Sequence, residues 1–543
     1  MAEKGWPPSL ASPIAWALAL TLVVVAQAIV IVTGPGDPFV DDAWISLRYA
    51  RNLVEGLGLV FNPGERVEGY THPLWVLLDA VILALRLPPK AVLSLLGVGA
   101  WLAAALATGR AAREAGASKE AQVFAGAIVA FAAMGVFWGL SGLETAAFAW
   151  VLVEAVRLSC AARRGESSAV GAGVVFGLAC WLRPEGALTL AVVLAVSVFG
   201  SAREGKGARA FSDATKVLAA AIAVYAPWEL FRVVYYGAFV PNTFLAKSGG
   251  AASWMIERGG NYLLEAAAKG PLVPLLVALV VAPRALRKFE ILAPAAVALA
   301  LILFTLWVGG DYLPFGRFVV PIVPLLALAT AGAFDEVTAR FSLAAARALA
   351  AAACLAGLLA HFGETRVRAF ENATQRYGIA AAWLADRVTS EMLVATPAAG
   401  IIGWTTKARI LDEFGLTDAY VARHLDPHLD PAKLRAPAGH ERGNADYILE
   451  RSPDVVLLAN VWVRPIPITA AAVGQNLEIT SITDRLLFAD RRFFERYEVL
   501  NYRLDEGTWL GMAVRKDSVL HPSHQAHVGP TPTPVGAPDP RLP

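Results

Sequence analysis

The sequence predicts a polytopic α-helical membrane protein of about eleven transmembrane helices, with a soluble α/β domain at its C-terminal end. Three observations predict it. Of the 543 residues, 56% are hydrophobic and 17% charged, where soluble domains average about 45–50% and about 25%. Apolar runs that reach, or nearly reach, the length of a bilayer core recur up to about residue 361. From residue 362 the texture changes: charges become frequent and no spanning run remains. A net charge of +2 argues against a nucleic-acid binder. Cys160, Cys180 and Cys354 lie in apolar runs, which excludes a disulfide framework and a Cys-rich metal site.

The runs lie near 14–33, 73–87, 91–109, 121–140, 145–161, 168–182, 187–200, 216–234, 271–283, 290–308, 318–334 and 344–361. The first follows Lys4 and contains Ala26-Gln27-Ala28, as signal peptides do, but it continues through Ile29–Val32 and suits an uncleaved anchor better. Basic clusters mark the cytoplasmic ends: Arg110/Arg113/Lys119, Arg157/Arg163/Arg164, Arg203/Lys206/Arg209, Arg284/Arg287/Lys288 and Arg340/Arg347. Segments 138–145, 183–186, 235–247 and 309–317 then face outward from the cytoplasmic membrane. So do the loop 34–72 and everything after 361. Two full crossings within 73–109 would put Arg110 on the wrong side, so one of those two runs is interfacial, re-entrant or merged with its neighbour.

Three units follow: a membrane domain over 1–361, a soluble extracytoplasmic domain over 362–520 and a Pro-rich, disordered tail over 521–543. In the soluble part, Met392–Ala395, Asp454–Leu458 and Tyr497–Arg503 read as strands, and Gly400, Gly403 and Gly415 as turn positions. No internal repeat is visible.

The richest polar island is the first outward loop. Asp41 and Asp42 open a helix, where acids satisfy free N–H groups and complement the dipole. Arg48, Arg51, Asn52 and Glu55 share one face, with Leu47, Ala50, Val54 and Leu57 opposite. That pattern predicts an amphipathic helix along the membrane surface, ended by Gly56 and Gly58. One carboxylate suffices for a cap. A second, beside Arg48, Glu68 and His72, has no structural need, whereas paired acids can act as a general base or hold a hard cation. Asp41 and Asp42 are therefore the candidate catalytic residues, and the ligands of a divalent cation if one is used; no other cofactor is indicated.

The run DDAWISLRYARNLVEGLGLVFNPGERVEGYTHPLW, directly after the first span, resembles the GT-C superfamily of membrane glycosyltransferases. Within it, the run is similar to the membrane arabinofuranosyltransferases that add terminal β-(1→2)-linked arabinose to mycobacterial arabinan. SGLET (141–145), RPEG (183–186), PNTFLAK (241–247), GGDYLPFGRF (309–318), DEFGLTD (412–418) and GHERGNADYILERSPDVV (439–456) extend the resemblance over roughly 36–515. His72 stands where that family's pattern has Ser. The resemblance implies a polyprenyl-phosphate-linked sugar donor, a cell-envelope glycan acceptor and transfer at the outer membrane face. Arabinofuranose is the sugar it favours, with mannose or another sugar as the alternative, and the stereochemical outcome is open.

Each island also has a plainer explanation. Glu144 binds acceptor hydroxyls or favours a helix start. Arg183 meets the donor phosphate or pairs with Glu185. Lys247 meets phosphate or snorkels, and Asn242 beside it contacts sugar. Asp311 and Tyr312 bind sugar and Arg317 binds phosphate, or Asp311 and Arg317 simply pair. Glu68 and His72 complete the sugar and acceptor set. In the soluble domain Asp412, Asp418, His440 and Glu441 are candidates for glycan contact. Capping explains both aspartates, however, and His440-Glu441 lacks the further ligands of a zinc site. Trp404 is a core residue before it is a sugar platform. Two rival classes are a lipid-carrier transporter or flippase, which needs mid-helix charges and symmetric halves, and a non-catalytic glycan-binding scaffold. The glycosyltransferase reading requires the aspartates and the dispersed cations to converge on one outward-facing site.

Overall fold

The computed structural model describes residues 12–34, 36–203, 207–248, 250–360, 365–430, 434–458, 463–464, 467, 481–505, 508–524 and 533–534. The membrane part contains α1 (Pro13–Val32), α2 (Asp41–Val54), α3 (Pro73–Ala84), α4 (Pro89–Glu114), α5 (Lys119–Phe131), α6 (Ala133–Leu140), α7 (Thr145–Arg164) and α8 (Ala169–Leu182). It continues through α9 (Glu185–Arg203), α10 (Gly207–Tyr236), α11 (Asn242–Ala246), α12 (Ala252–Ala268), α13 (Leu272–Val281), α14 (Phe289–Val308), α15 (Ile322–Arg340) and α16 (Leu343–Leu359).

Among the described residues, six helices are long and apolar enough to cross a membrane: α1, α4, α7, α10, α14 and α15. The pairs α5–α6 and α12–α13 pass the same test jointly but bend by 49° and 89°, which raises the number to eight if each pair is one span. Helices α3, α8, α9 and α16 are apolar but shorter. The expected continuous run over 121–140 is thus broken at Ala132, whose backbone is extended. Helix α12 escaped the hydropathy reading because it carries Glu257, Arg258 and Glu265. Arg258 is neutralised inside the protein, by Glu441 at 2.8 Å and by the Gly309 carbonyl. The conflict within 73–109 also has an answer. Helix α3 has 12 residues, about 18 Å, which falls short of a hydrocarbon core of about 30 Å. Helix α4, with 26 residues, is long enough.

After α17 (Thr365–Ala385) the chain forms a mixed sheet of β1 (Leu393–Thr396), β2 (Arg409–Asp412), β3 (Val455–Val456), β4 (Val463–Arg464), β5 (Tyr497–Asp505), β6 (Thr508–Arg515) and β7 (Thr533–Pro534). The order is β2-β1-β3-β6-β5-β7, with β4 also on β6. Strands β1, β2 and β3 are parallel and the remaining pairings antiparallel. The three strands expected from sequence are present. Most of the Pro-rich tail lies outside the described residues; Thr533–Pro534 pairs with Leu500–Asn501.

The short helix α18 (Ala399–Thr405), which follows β1, joins the two parts. At its N-terminus the Asp41 carboxylate accepts from the N–H groups of Gly400 at 3.0 Å and Ile401 at 2.8 Å. At its C-terminal end the Arg48 guanidinium donates to the Gly403 carbonyl at 2.8 Å, and Arg51 donates to Trp404 at 2.7 Å. Acid at one end and base at the other complement the helix dipole. Asp41 and Arg48 are seven residues apart, so they share a face of α2 at a spacing of about 10 Å, the length of α18 itself. Arg48 also donates to Phe61, Asn62 and Ala408.

The amphipathic helix expected from the sequence is present as α2. On its polar face Arg48 and Asn52 are 3% and 4% exposed, Arg48 against the soluble domain and Asn52 against the Val60 and Phe61 carbonyls. An arginine can be buried so deeply because protein carbonyls replace water at its donors. Gly400 and Gly403 correct the expectation of turns: they lie inside α18. A Cβ on Gly400 would sit 1.9 Å from the Asp41 carbonyl oxygen. Gly400→Ala is therefore expected to weaken docking by about 1–3 kcal/mol, read as faster hydrogen exchange and proteolysis at the α2–α18 contact. Gly378→Ala, whose Cβ would meet only an ordinary contact at 3.6 Å, should leave docking intact.

Candidate active site

Asp42 sits in the first turn of α2, directly beside the docking carboxylate of Asp41. Three connections bring charges to it: the α6–α7 turn with Glu144, the α8–α9 turn with Arg183 and Glu185, and the α14–α15 loop with Asp311 and Arg317. The last loop is shaped by Gly309 and Gly310, both with positive φ (81° and 73°), which let the chain leave α14 by a left-handed cap. Phe315 is also left-handed at φ 63°, and the Trp138 indole donates to its carbonyl at 3.0 Å.

The ion pairs form two adjacent clusters whose charges act on one another. Arg317 meets Asp311 at 2.6 Å and Asp42 at 3.7 Å. Arg183 meets Glu144 at 2.8 Å and Glu185 at 2.7 Å. His72 Nδ1 faces Glu144 at 3.4 Å, and its Nε2 lies 2.7 Å from the Ser46 hydroxyl. Both arginines are nearly buried, whereas the Asp42 side chain is 32% exposed and presents its carboxylate to the outside.

The electrostatics follow from burial and pairing. Burial works against both guanidinium charges, yet Glu185 and Glu144 hold Arg183 above its ordinary value, and Asp311 does the same for Arg317. Burial would raise Glu144, but His72, Arg183 and Arg317 outweigh it and keep that carboxyl below its usual range. Burial lowers His72, so it is neutral near pH 7.

The soluble domain covers this network. The His440 ring packs between Tyr312 and Phe414, each 4.1 Å away by ring centroid. Burial pushes His440 down to about 4, with Lys247 adding to the effect. Lys247 runs beside Gly439, where a Cβ would lie 3.6 Å from its Cε, and it makes no ion pair among the described residues. A small cavity of about 20 Å³ lies beside Asp311, with Tyr262 and Gly316 in its wall.

ArnT from Cupriavidus metallidurans bound to undecaprenyl phosphate superposes with a TM-score of 0.56 at 14% identity, covering 92% of this chain and 98% of that one. The apo state of ArnT gives 0.57 at 14% identity over 95% and 99%. The chain has the ArnT fold. It is a multi-pass membrane protein. In sequence it is 31% identical over 251 residues to the terminal beta-(1->2)-arabinofuranosyltransferase of Corynebacterium glutamicum, spanning 39% of this chain and 34% of that protein. The Mycobacterium tuberculosis protein of the same name is 31% identical over 236 residues, 39% of this chain and 35% of that protein. The chain thus spans about a third of the length of the curated relatives it matches. Residues 365–512 match a family described as a domain of unknown function (DUF8728). The resemblance read from the motifs is borne out by these relatives.

On this ArnT fold, Asp42, His72, Glu144, Arg183, Asp311 and Arg317 come together, and Tyr312 and Lys247 border them. Glu68 and Asn242 do not join them. Glu68 pairs with Arg232 of α10 at 2.6 Å. The Asn242 side-chain amide donates to the carbonyls of Gly415 and Leu416 at 2.7 and 3.0 Å, tying α11 to the soluble domain. Asp412 and Asp418 act as caps, accepting backbone N–H groups of Phe414 and Thr417, and of Tyr420 and Val421. The Asp41–Asp42 pair does not suit a hard cation: Asp41 already accepts two N–H bonds and Asp42 faces a guanidinium. Among the described residues no three His, Cys, Asp or Glu side chains converge as metal ligands.

Sequence reading missed Ser46, Arg232 and Arg258. Ser46 was within reach of it, being four residues from Asp42 and so on the same helix face. Arg258 carried no signal, because Glu441 lies far away in the chain, and for Arg232 only the local partner Glu229 was in view, not Glu68. Two groups set opposite pH slopes on stability. Burial lifts Asp41 from 3.8 to about 7, so the fold favours its protonated form and loses that contribution as pH rises from about 4 to 7. His440, lowered from 6.5 to about 4, contributes above 6.5 and loses that contribution as pH falls towards 4. Asp41→Asn should flatten the first slope and His440→Gln the second, measured as thermal unfolding against pH.

Proposed function

We propose that the chain transfers a glycosyl group, arabinofuranose first, from a polyprenyl-phosphate donor to a hydroxyl of a cell-envelope glycan outside the cytoplasmic membrane. One observation carries this reading: an exposed carboxylate, Asp42, stands against buried, counter-charged arginines at the end of the helix bundle that the soluble domain covers. That is what glycosyl transfer from a lipid phosphate needs. The donor's C1–O bond breaks with its electron pair going to the phosphate, while the acceptor oxygen bonds to C1. Asp42 takes the acceptor's proton. Arg317 and Lys247 stabilise the charge that grows on the departing phosphate. Arg183 is held in place by Glu144 and Glu185, and His72 with Ser46 fixes Glu144. Asp311 and Tyr312 border the sugar, and His440 and Phe414 form the acceptor's wall. Asp41 serves this site by docking the domain that covers it.

The likeness to the arabinofuranosyltransferases supports the sugar, and the undecaprenyl phosphate bound by ArnT supports the lipid carrier. The test is purified protein with polyprenyl-phospho-arabinose and, separately, polyprenyl-phospho-mannose, each with arabinan-type acceptors, followed by determination of the product linkage. Asp42→Asn is expected to lose at least about 100-fold in turnover with normal membrane insertion. Lys247→Gln should lower kcat and kcat/KM together, with the donor KM little changed. Transfer by Asp42→Asn at the wild-type rate would remove the catalytic assignment.

A further inference from the structure

A carboxyl that has taken the acceptor's proton is no longer a base, so Asp42 must pass that proton on before it can act again. A line of side chains leads inward from it: Asp42 is partly exposed, whereas Ser46, His72 and Glu144 are buried. Ser46 stands four residues after Asp42 in α2, one turn along the same face, with about 5–6 Å between the two Cβ atoms. A hydroxyl and a carboxylate at that spacing connect directly or through one water. The Ser46 hydroxyl lies 2.7 Å from His72 Nε2, and His72 Nδ1 lies 3.4 Å from Glu144. Glu144 is fixed in turn by Arg183 at 2.8 Å.

These residue types in this order suit proton movement. A hydroxyl accepts a proton on its oxygen as it gives up its own. An imidazole accepts one on the first nitrogen while a carboxylate at the second stabilises the cation. A plainer role for the ring, capping, is not the one it fills: His72 directly precedes α3 and makes no side-chain cap bond. The charges facing the ring come from four elements. Asp42 of α2 and Glu144 of the α6–α7 turn favour the imidazolium, while Arg183 of the α8–α9 turn, Arg317 of the α14–α15 loop and burial oppose it. The ring is therefore neutral at rest and has an acid on either side of it, which suits a group that holds a proton briefly and then returns it.

We infer that Ser46 and His72 form a proton relay for the transfer reaction proposed above, on which this inference rests, and that the acceptor's proton comes to rest on His72. The acceptor O–H gives its proton to Asp42. Asp42 passes it to the Ser46 oxygen as the Ser46 proton moves to His72 Nε2, and the imidazolium faces Glu144 through Nδ1–H. The electron pair of the broken C1–O bond has gone to the phosphate, so the negative charge gained there is balanced by the positive charge on His72. Once the product has left, the proton returns by the same route to water at the exposed edge of Asp42. The full chain with isotope-labelled histidine, in bilayer nanodiscs without substrate, tests the resting state. Solid-state nitrogen NMR at pH 7 should show His72, identified by the signal lost in His72→Asn, as a neutral ring with its proton on Nδ1. With substrate, Ser46→Ala should unfold close to the wild-type temperature and lower kcat about 100-fold with the donor KM little changed. Ser46→Thr, which restores the hydroxyl, should recover most of that loss. In mixtures of H2O and D2O the wild-type kcat should vary along a curve, as two protons moving together require, and that of Ser46→Ala along a straight line. Transfer with the resting proton on Nε2, a wild-type kcat in Ser46→Ala, or a straight line in the wild type overturns the relay alone. Absence of transfer by the wild type overturns the proposed reaction, and the relay with it.

Discussion

The constraint on which the rest of the structure depends is the presence of two buried arginines at one end of a helix bundle. Removing a guanidinium from water costs several kcal/mol unless counter-charges and acceptors surround it. Arg183 obtains them from Glu144 and Glu185, and Arg317 from Asp311 and Asp42. These acids come from separate connections, so satisfying the arginines requires the α1–α2 entry, the α6–α7 turn, the α8–α9 turn and the α14–α15 loop to meet. The acids of the α6–α7 and α8–α9 turns are both spent on Arg183. Asp42, at 3.7 Å from Arg317 and partly exposed, is the acid least committed to holding the network together.

The soluble domain is held by the same economy of charge. Helix α2 presents an acid and two bases to the two ends of α18, and the carbonyls and N–H groups that a short helix leaves unsatisfied are met there. The paired aspartates therefore divide their work within one turn of helix, Asp41 towards the domain and Asp42 towards the charge network. Once docked, the domain sets His440 between Tyr312 and Phe414. A ring with its basicity lowered by burial is then an uncharged wall beside charged groups.

The architecture was legible in the chain because it rests on local composition. Long apolar runs, basic clusters at alternate ends and the change of texture near 362 each report burial in a different solvent. The start of α2 at Asp41 and the strands at 393, 455 and 497 follow from spacing alone. Local composition failed where tertiary contacts supplied what it lacked. Helix α12 tolerates Arg258 because Glu441 arrives from the soluble domain. The polar face of α2 was legible, but no local signal says that a helix more than 340 residues later will pack against it.

The sequence by itself determined the membrane class, the acids and bases available at the polar connections, and the likeness to arabinofuranosyltransferases, since all three depend on residue type and near neighbours. Only the tertiary structure decided which of those charges are partners: that Glu68 and Asn242 brace the scaffold, that Asp41 docks a domain and that Asp42 stays partly exposed beside Arg317. The physical reason is that an ion pair has no sequence distance. Its energy depends on separation and burial, and both are set by the packing of helices whose own formation carries no information about the charges at their ends.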